Sequence, residues 1–394
     1  MAEAVIVSAT RTAIGSMGGS LSTVPATKLG AAAVREAVAR AGIDPAEVGE
    51  VVLGHVLQAG QGLNSARVAY LEGGVPQEVP GYALNKACGS GLKAVANVAS
   101  GIMLGEYDAG VAGGMENMSL APYLLNKARY GYRLGHDKIF DSLINDGLTC
   151  PITDVHMGIT AENIAAKYDL SREAQDAFAA GSQQKAVAAQ EAGKFDAEIF
   201  AFDAPGKKRG ETVSFAKDEF PRAGTTAESL GKLRAAFKKD GSVTAGNASG
   251  INDGAAALVV MNADVARDRG LQPLARIRGW ASAGVDPSIM GMGPWPACEK
   301  ALDRAGLSKD DIGLWELNEA FAAQSLGVLA ELKIDADKVN VNGGAIALGH
   351  PIGCSGARVL VTLLHAMQDR DVERGIASLC IGGGQGVAMI VERG

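Results

Sequence analysis

Two short runs in the sequence place a cysteine beside a Ser-Gly pair, and helix-forming residues follow each run. Residues 87–92 read ACGSGL and residues 353–357 read GCSGA. Most unpaired cysteines behave as small buried apolar residues. At a helix N-terminus, however, the helix dipole and the free N–H groups stabilise a thiolate. Cys88 fits that position, with residues 89–91 as the first helical turn, so it is a candidate nucleophile.

Three further groups could complete the chemistry of an acyl transfer. His350 lies within the glycine-rich run NVNGGAIALGHPIGCSGAR and could accept the proton of Cys88. Cys380 follows an apolar strand in SLCIGGGQG and could act as an acid or base. Free N–H groups at Cys88 and Gly382 could stabilise an oxyanion. Each has a structural alternative: His350 as a buried core histidine and Cys380 as a packing residue at a strand end.

The segment WELNEAFAAQ (315–324) places Asn318 and Glu319 where a strand gives way to a helix. Open α/β sheets bind their ligands at the carboxyl ends of strands, so both residues are candidates for the site. Alternatively, Asn318 is a helix cap and Glu319 a favourable acidic residue of the first turn.

Several familiar motifs are missing from the sequence. GGGQG lacks the spacing of a dinucleotide-binding loop, and there is no G-x-S-x-G elbow. His156 and His350 lie near no recognisable ligand cluster, so we expect no metal. We also predict no cofactor.

Composition narrows the class of protein. The chain has 394 residues, 47% of them apolar and 21% charged, which is typical of a soluble protein with more than one domain. A net charge of −7 gives no electrostatic reason to expect nucleic acid or an anionic membrane as partner. Five cysteines without a C-x-x-C pair favour a reducing compartment. Finding no leader and no stretch long enough to span a bilayer, we expect a cytoplasmic protein.

The elements that must position these residues form a duplication. Residues 35–56 can be laid over 299–320, so that RAG falls on RAG, and nearly the same shift brings CGSG onto GCSG. Each copy reads as helix, capped turn, β-rich run, then glycine turn and helix. This order predicts an α/β fold with a parallel or mixed sheet covered by helices. Superposing Ser90 on Ser355 puts Cys354 opposite Gly89, so we expect Cys354 to be a packing residue.

Taken together, the motifs closely resemble the thiolases of the acetyl-CoA acetyltransferase (biosynthetic β-ketothiolase) type. The resemblance covers essentially the whole chain and rests on NKACGSGLKAV, AGGMENMS, HMGITAENIA, GNASGINDGAAA, NEAFAAQ, GHPIGCSGAR and CIGGGQG. It implies a duplicated fold with two mixed-sheet halves in an α/β/α/β/α arrangement and an inserted loop domain. The implied parts are an N-terminal half (1–118 plus 249–269), an inserted CoA-binding and tetramerisation domain (119–248) and a C-terminal half (270–394).

The resemblance also implies the reaction and the residues that perform it. Cys88 would be the nucleophile, His350 its activator and Cys380 the acid/base, in a ping-pong condensation of two acetyl-CoA to acetoacetyl-CoA and CoA. One oxyanion hole would use His350 with a water held by Asn318, and the other the N–H groups of Cys88 and Gly382. The substrates and products, acetyl-CoA, acetoacetyl-CoA and CoA, would be the partners. The implied pocket residues are Leu148, His156, Met157, Arg222, Ser229, Phe237, Ala245, Ser249, Met290, Ala320 and Phe321.

Two further segments bear on specificity and assembly. TCPITDVHMG (149–158) departs from the aromatic-containing family form, and this leaves the preferred acyl-chain length open. Residues 126–146 resemble the segment that joins dimers, which implies a homotetramer. The inserted segment also contains several basic residues, which either attract the phosphates of CoA or belong to a solvated surface. They are Lys207, Lys208, Arg209, Lys238 and Lys239.

Three alternatives stay open at this point. A broader 3-ketoacyl-CoA thiolase would act on longer chains. A decarboxylating ketoacyl synthase would use a Cys-His-His set, against which Asn318 and Cys380 count. A catalytically silent thiolase-like acyl-CoA carrier would be expected to lose some of Cys88, Asn318, His350 or Cys380, and all four are present.

Overall fold

The computed structural model describes residues 2–206 and 208–394. Lys207, one of the basic residues named above, lies outside the described residues. Most of the strands belong to one large sheet, and the others form separate two-stranded pairs. The strands are β1 (Ala4–Thr12), β2 (Gly15–Ser16), β3 (Glu50–Gly54), β4 (Gly81–Leu84), β5 (Ala109–Asn117), β6 (Tyr123–Leu124), β7 (Phe140–Asp141), β8 (Thr149–Cys150), β9 (Val155–His156), β10 (Ile199–Phe200), β11 (Phe202–Pro205), β12 (Thr212–Phe215), β13 (Asn252–Asn262), β14 (Ala275–Gly284), β15 (Leu314–Leu317), β16 (Arg374–Ile381) and β17 (Gln385–Glu392).

The α-helices lie on both faces of the sheet and in the segment inserted between β5 and β13. They are α1 (Ala26–Ala41), α2 (Ser65–Glu72), α3 (Ser90–Leu104), α4 (Met157–Lys167), α5 (Arg172–Glu191), α6 (Ala227–Gly231), α7 (Ala263–Asp268), α8 (Pro294–Ala305), α9 (Ala322–Leu332), α10 (Ala345–Leu348) and α11 (Ile352–Asp369).

The sheet repeats one strand order in two halves. The first half runs β4-β3-β5-β13-β1 and the second runs β15-β16-β17-β14. In each half the strands at one end are parallel (β4, β3 and β5 in the first, β15 and β16 in the second), and the pairs that follow are antiparallel (β5–β13 and β13–β1, β16–β17 and β17–β14). A short antiparallel pairing of β1 with β14, at Val5–Arg276 and Ile6–Ala275, joins the halves into one continuous path. The sequence predicted two sheet halves, and the structure adds this connection.

The hydrophobic core shows five layers. One apolar cluster packs α1 and α2 against the outer face of the first half. Another packs α8 and α9 against the outer face of the second half. The largest cluster contains side chains of α3 and α11 together with inner-face residues of both halves. The predicted α/β/α/β/α arrangement of a thiolase-type fold is therefore confirmed.

Local features of the two halves match closely. The first helix of each half ends at a glycine in the left-handed region, Gly42 (φ 65°) and Gly306 (φ 66°), which a residue with a Cβ adopts only at a cost. A one-turn helix follows in each half, Pro45–Glu47 and Lys309–Asp311, and each begins with a capping box. These signals explain why the same helix–turn–strand order forms twice.

The expectation that no stretch is apolar enough to span a bilayer was too strict. Within the described residues, the window 87–104 passes that test by length and composition. Most of this window is α3, whose Leu92, Val95 and Ile102 are completely buried between the two sheet halves. A helix packed between two sheet halves buries most of its circumference, which explains the apolar composition, while its polar residues Lys93, Asn97 and Ser100 are only partly buried.

The inserted segment, which connects β5 and β13 of the first half, occupies the place of a hairpin turn. In the second half, β16 and β17 are joined by residues 382–384, and Ile381 pairs with Gln385. In the first half, β5 and β13 pair in the same way up to Asn117 and Asp253, and residues 118–251 form the connection. A buried ion-pair cluster fixes this connection to β1, because Arg11 contacts both Glu198 (2.6 Å) and Asp218 (2.7 Å).

Candidate active site

The first turns of α3 and α11 touch backbone to backbone. A Cβ on Gly91 would lie 2.4 Å from the backbone nitrogen of Ala357, and one on Gly356 would lie 2.2 Å from that of Leu92. Only glycine permits such an approach. Since α3 follows Cys88 and α11 follows His350, this contact brings the two candidate residues to the same place.

Cys88 lies on a tight turn between β4 and α3. Ala87 has a φ of 44°, an uncommon value for a residue with a Cβ. The Ser90 hydroxyl holds the turn, because it accepts from the Lys86 N–H (2.8 Å) and donates to the Ala87 carbonyl (2.6 Å). α3 begins at Ser90 with Gly89 as its N-cap, so Cys88 lies just before the cap and not in the first turn.

The Cys88 side chain is half-buried and lines a cavity, and burial raises the pKa of its thiol to about 11. Hydrogen bonds from the N–H groups of Gly382 and of Cys88 itself act in the opposite direction, and the charge of Glu116 adds to the rise. Contrary to the sequence-based expectation, burial outweighs the helix N-terminus here. At neutral pH the Cys88 thiol is therefore protonated, and it would need a base to react as a nucleophile.

His350 is held as a neutral base. Its Nδ1 lies 2.5 Å from the Ser355 hydroxyl, which itself donates to the Pro351 carbonyl (2.8 Å). The Ser355 oxygen must therefore accept, so the proton of the ring is assigned to Nδ1. Nε2 then carries the free electron pair, 3.3 Å from Nδ2 of Asn318. Burial, with the nearby Arg358 charge, lowers the pKa of His350 to about 3.

Cys380 is the penultimate residue of β16 and is completely buried. Burial raises the pKa of its thiol, and the negative charge of an ionised Cys88 raises it further, so the two sulfurs are electrostatically coupled. Asn318 is placed against the same strand, because its N–H donates to the Ser378 carbonyl at 2.9 Å. The structure therefore brings Cys88, Cys380, His350 and Asn318 together.

The cap interpretation of Asn318 and Glu319 is wrong. The N-cap of α9 is Phe321, which makes no side-chain capping bond. Glu319 is buried and its carboxylate accepts from Ser182 (2.6 Å), from Asn340 (2.8 Å) and from the Ile346 N–H (3.2 Å). It ties the loop before His350 to α5.

A cavity of about 510 Å³ leads from the surface to these groups. Cys88, His350 and Gly382 line its inner end. Cys380 and Asn318 lie behind that lining. The other predicted pocket residues on its wall are Leu148, His156, Met157, Arg222, Phe237, Ala245, Ser249, Met290, Ala320 and Phe321.

Ser229 does not line this cavity. It borders an adjoining cavity of about 210 Å³ that shares Phe220, Arg222 and Ala245 with the first. Ser229 is exposed, and it forms a capping box with Thr226 at the start of α6. The two cavities therefore share part of their wall, and the inserted segment supplies that shared part.

Aromatic rings shape one wall of the larger cavity. His156 stacks on Phe237 with 4.8 Å between the ring centroids, and Phe237 meets Phe321 edge to face at 6.1 Å. His156 caps α4, because its Nδ1 accepts from the Gly158 N–H at 3.0 Å. Its ring nitrogen Nε2 is left as the donor. Burial lowers the pKa of His156, so the wall is apolar and neutral.

Sequence reasoning missed the role of Glu116. This buried carboxylate accepts from the Gly353 N–H at 2.8 Å and from the N–H groups of Val56 (3.1 Å) and Leu57 (3.2 Å). It thereby caps the N-terminus of α11 and fixes the loop beside Cys88. Its place in AGGMENMS, at the end of a buried strand, is the signal that could have identified it.

Cys354, the other cysteine of the opening comparison, is 1% exposed and packs in the central core cluster. Its thiol is buried, which raises its pKa to about 12. Within the described residues, no group of three or more His, Cys, Asp or Glu side chains is placed to hold a metal ion.

Comparison with known proteins identifies this arrangement. The family model for the thiolase N-terminal domain matches residues 4–264, and that for the thiolase C-terminal domain matches residues 271–393. Acetyl-CoA acetyltransferases of Pseudomonas aeruginosa and Escherichia coli are each 59% identical, and the alignments cover 100% of both chains. The crystal structure of the Bacillus anthracis acetyl-CoA acetyltransferase superposes with a TM-score of 0.97 at 49% identity, covering 100% of this chain and 99% of that one.

Proposed function

This chain belongs to the thiolase family, and on that premise we propose that it is an acetyl-CoA C-acetyltransferase. It condenses two molecules of acetyl-CoA to acetoacetyl-CoA and CoA, and it catalyses the reverse thiolysis. The observation that carries the proposal is the convergence of the thiol of Cys88, the neutral imidazole of His350 and the N–H of Gly382 at the inner end of one cavity.

The first half-reaction acylates Cys88. His350 takes the thiol proton on Nε2 as the sulfur attacks the thioester carbonyl of acetyl-CoA. The bond between the carbonyl carbon and the CoA sulfur then breaks, and the departing CoA thiolate takes up the proton of the Cys380 thiol, which leaves Cys380 as a thiolate and His350 protonated. The N–H groups of Cys88 and Gly382, which already bond the Cys88 sulfur, stabilise the tetrahedral oxyanion.

The second half-reaction forms the carbon–carbon bond. The Cys380 thiolate removes a proton from the methyl group of a second acetyl-CoA, and the resulting carbanion attacks the acetyl group on Cys88. The C–S bond to Cys88 breaks, the Cys88 thiolate recovers its proton from His350, and acetoacetyl-CoA is released. His350 and a water held by Asn318 stabilise the enolate; within the described residues, Asn318 Oδ1 is buried without a hydrogen-bond partner and so keeps an acceptor free beside His350.

The inserted segment binds CoA in this proposal. The apolar wall formed by His156 and Phe237 suits the pantetheine arm of CoA, and exposed basic side chains near the mouth suit its phosphates. Arg222, Lys238 and Lys239 are exposed on this side. Ser229, in the adjoining cavity, would contact the outer part of the same ligand.

One assay tests the function directly. Purified protein mixed with acetoacetyl-CoA and CoA should consume the enolate absorbance of acetoacetyl-CoA and produce acetyl-CoA. Cys88→Ala is the matched control and should abolish turnover while it still binds CoA. CoA binding without turnover in the unmodified protein would contradict the proposal and favour an acyl-CoA carrier.

We further propose a cytoplasmic homotetramer. The proposal is supported by the excursion 119–141, which exposes several large apolar side chains: Tyr123, Leu125, Tyr130, Leu134 and Ile139. Leu134 is 100% exposed, and a side chain of this kind is typical of an interface between subunits. Light scattering of Leu134→Asp should report a smaller assembly than that of the unmodified protein, and an unchanged mass would argue against this interface.

A further inference from the structure

Behind the active site, α11 carries a polar stripe along an otherwise apolar buried helix. Ser355, Arg358 and Thr362 follow one another at spacings of three and four, so they lie on one face. All three are about 1% exposed. Each has a partner on another element or loop: Ser355 bonds His350, Arg358 bonds Glu316 and Thr362 bonds Glu198.

The first two of these contacts form a closed ring with the active site. Arg358 Nη1 lies 2.9 Å from Glu316 Oε1, and Glu316 is two residues before Asn318. Asn318 contacts His350 Nε2 at 3.3 Å, and His350 Nδ1 returns to Ser355, one helical turn before Arg358. The ion pair therefore links the strand that carries Asn318 to the helix that holds His350.

Stability alone is a poor explanation for this pair. Arg358 and Glu316 are 1% and 3% exposed, and burying two charges costs about as much as their attraction returns. Two further guanidinium nitrogens of Arg358, Nε and Nη2, are buried without a partner among the described residues, which adds to the cost. A pair that contributes little to folding but spans two catalytic elements points to a role in geometry.

We propose that Glu316 and Arg358 are positioning residues that hold His350 and Asn318 at their working separation. They touch no substrate. Without them, α11 and β15 shift relative to each other, and Nε2 of His350 loses its alignment with the Cys88 thiol. This inference rests on the proposed function, since it assigns the pair to the acylation step of the same site.

The neighbouring charges fit this assignment. Burial raises the pKa of Glu316, and the Arg358 cation is the main group that opposes the rise. The Arg358 cation also acts on His350, where it favours the neutral ring that can accept a proton. Without the Arg358 cation, the buried Glu316 carboxylate would take up a proton. An Arg358 variant would therefore not have to keep an unpaired buried charge.

The test compares three variants of the polar stripe of α11 and its partner Glu316 on β15. The double variant Glu316→Leu with Arg358→Met replaces the pair by apolar residues of similar volume, and Arg358→Lys keeps the charge but loses the planar fork. Thr362→Val is the matched control, since it removes a buried hydrogen bond one turn farther along without touching the ring. For each we would measure thermal midpoint, kcat and KM of thiolysis, and the rate of Cys88 alkylation by iodoacetamide, read by mass spectrometry.

We expect the double variant to lose about tenfold or more in kcat and in alkylation rate, since small misplacements of a base are costly. Its KM should stay within about twofold, because the cavity wall is unchanged. Arg358→Lys should recover part of the loss, and Thr362→Val should resemble the unmodified protein. If the double variant lost no more than Thr362→Val, or if KM rose at constant kcat, the proposal would be overturned.

Alkylation separates this inference from the proposed function. It requires only Cys88 and its base, with Cys88→Ala as the blank. An unmodified protein without thiolase turnover would contradict the function, while the alkylation rates would still decide the role of the ion pair.

Discussion

Replacing Gly91 by alanine should misplace the nucleophile relative to its base. A Cβ at this position would lie 2.4 Å from the backbone nitrogen of Ala357 and 3.1 Å from its Cβ. An ordinary contact begins at 3.4 Å, so the two helices must separate by about 1 Å. The obstructing atom belongs to the backbone of α11, which cannot turn aside as a side chain can.

The size of the effect follows from this separation. Overpacking of this kind costs about 1–3 kcal/mol, and the better helix propensity of alanine offsets about 0.5–1 kcal/mol of it. Catalysis is more sensitive than stability, since a displacement of about 1 Å can reduce the rate about 100-fold. We therefore expect Gly91→Ala to fold with a lower thermal midpoint and to lose most of its kcat.

The assay measures thiolysis kinetics, Cys88 alkylation and thermal unfolding on the same preparations. Gly181→Ala is the matched control, because Gly181 lies inside α5 with no atom within 4 Å of its added Cβ. That change should leave kcat unaltered and raise stability by about 0.5–1 kcal/mol. A Gly91→Ala protein with kcat within about twofold of the unmodified enzyme would refute the argument that this contact sets the distance between Cys88 and His350.

Three more predictions concern the catalytic groups and the acyl end of the cavity. Cys88→Ala should not become acetylated by acetyl-CoA, whereas Cys380→Ser should become acetylated on Cys88 but catalyse the condensation slowly. The intact mass of each protein after incubation with acetyl-CoA distinguishes the two. If neither variant became acetylated, the division of roles between Cys88 and Cys380 would be contradicted. Folding lowers the pKa of His350 from an ordinary 6.5 to about 3, so the unfolded chain binds a proton at this residue more readily. His350 therefore contributes stability above pH 6.5 that is lost as the pH falls toward 3. His350→Gln should reduce the slope of the free energy of unfolding against pH in that window by up to about 1.4 kcal/mol per pH unit. An unchanged slope in denaturant titrations would show that His350 is not the group responsible. Met157→Ala should enlarge the acyl end of the cavity beside Gly382. We expect kcat/KM for a six-carbon 3-ketoacyl-CoA to rise about tenfold relative to that for acetoacetyl-CoA. An unchanged ratio in a chain-length series would show that another residue limits the length of the acyl chain.

The duplicated architecture was predictable because its signals are local. Helix ends at Gly42 and Gly306, capped turns and apolar strands recur in the sequence at a nearly constant offset, and the structure follows them. The thiolase-type fold and the family followed from the motifs and were confirmed. The pairing of β1 with β14 was not predicted, because two residue pairs at a sheet edge leave no trace in the pattern of either strand.

The composition of the site was easier to anticipate than its electrostatics. Sequence reasoning placed Cys88 at a helix N-terminus and expected a stabilised thiolate, but it could not weigh the burial that raises the pKa of the thiol. It also missed Glu116 and the pair Glu316–Arg358, because a buried carboxylate or guanidinium looks like a surface charge in sequence. Their partners lie on elements far away in the chain, so only the folded structure brings them together.

The hairpin position of the inserted segment has a consequence for how such an enzyme can change over time. β5 and β13 remain paired along their whole length, from Met261–Ala109 to Asp253–Asn117, as if a short turn joined them. The chain that leaves the sheet at Asn117 returns beside it, so lengthening or replacing that excursion leaves the ladder intact. The other half has a three-residue turn there, and that turn supplies the Gly382 N–H to the Cys88 sulfur. The same position of the duplicated fold thus holds a long connection that can vary in one copy and a short turn held by its contact with Cys88 in the other.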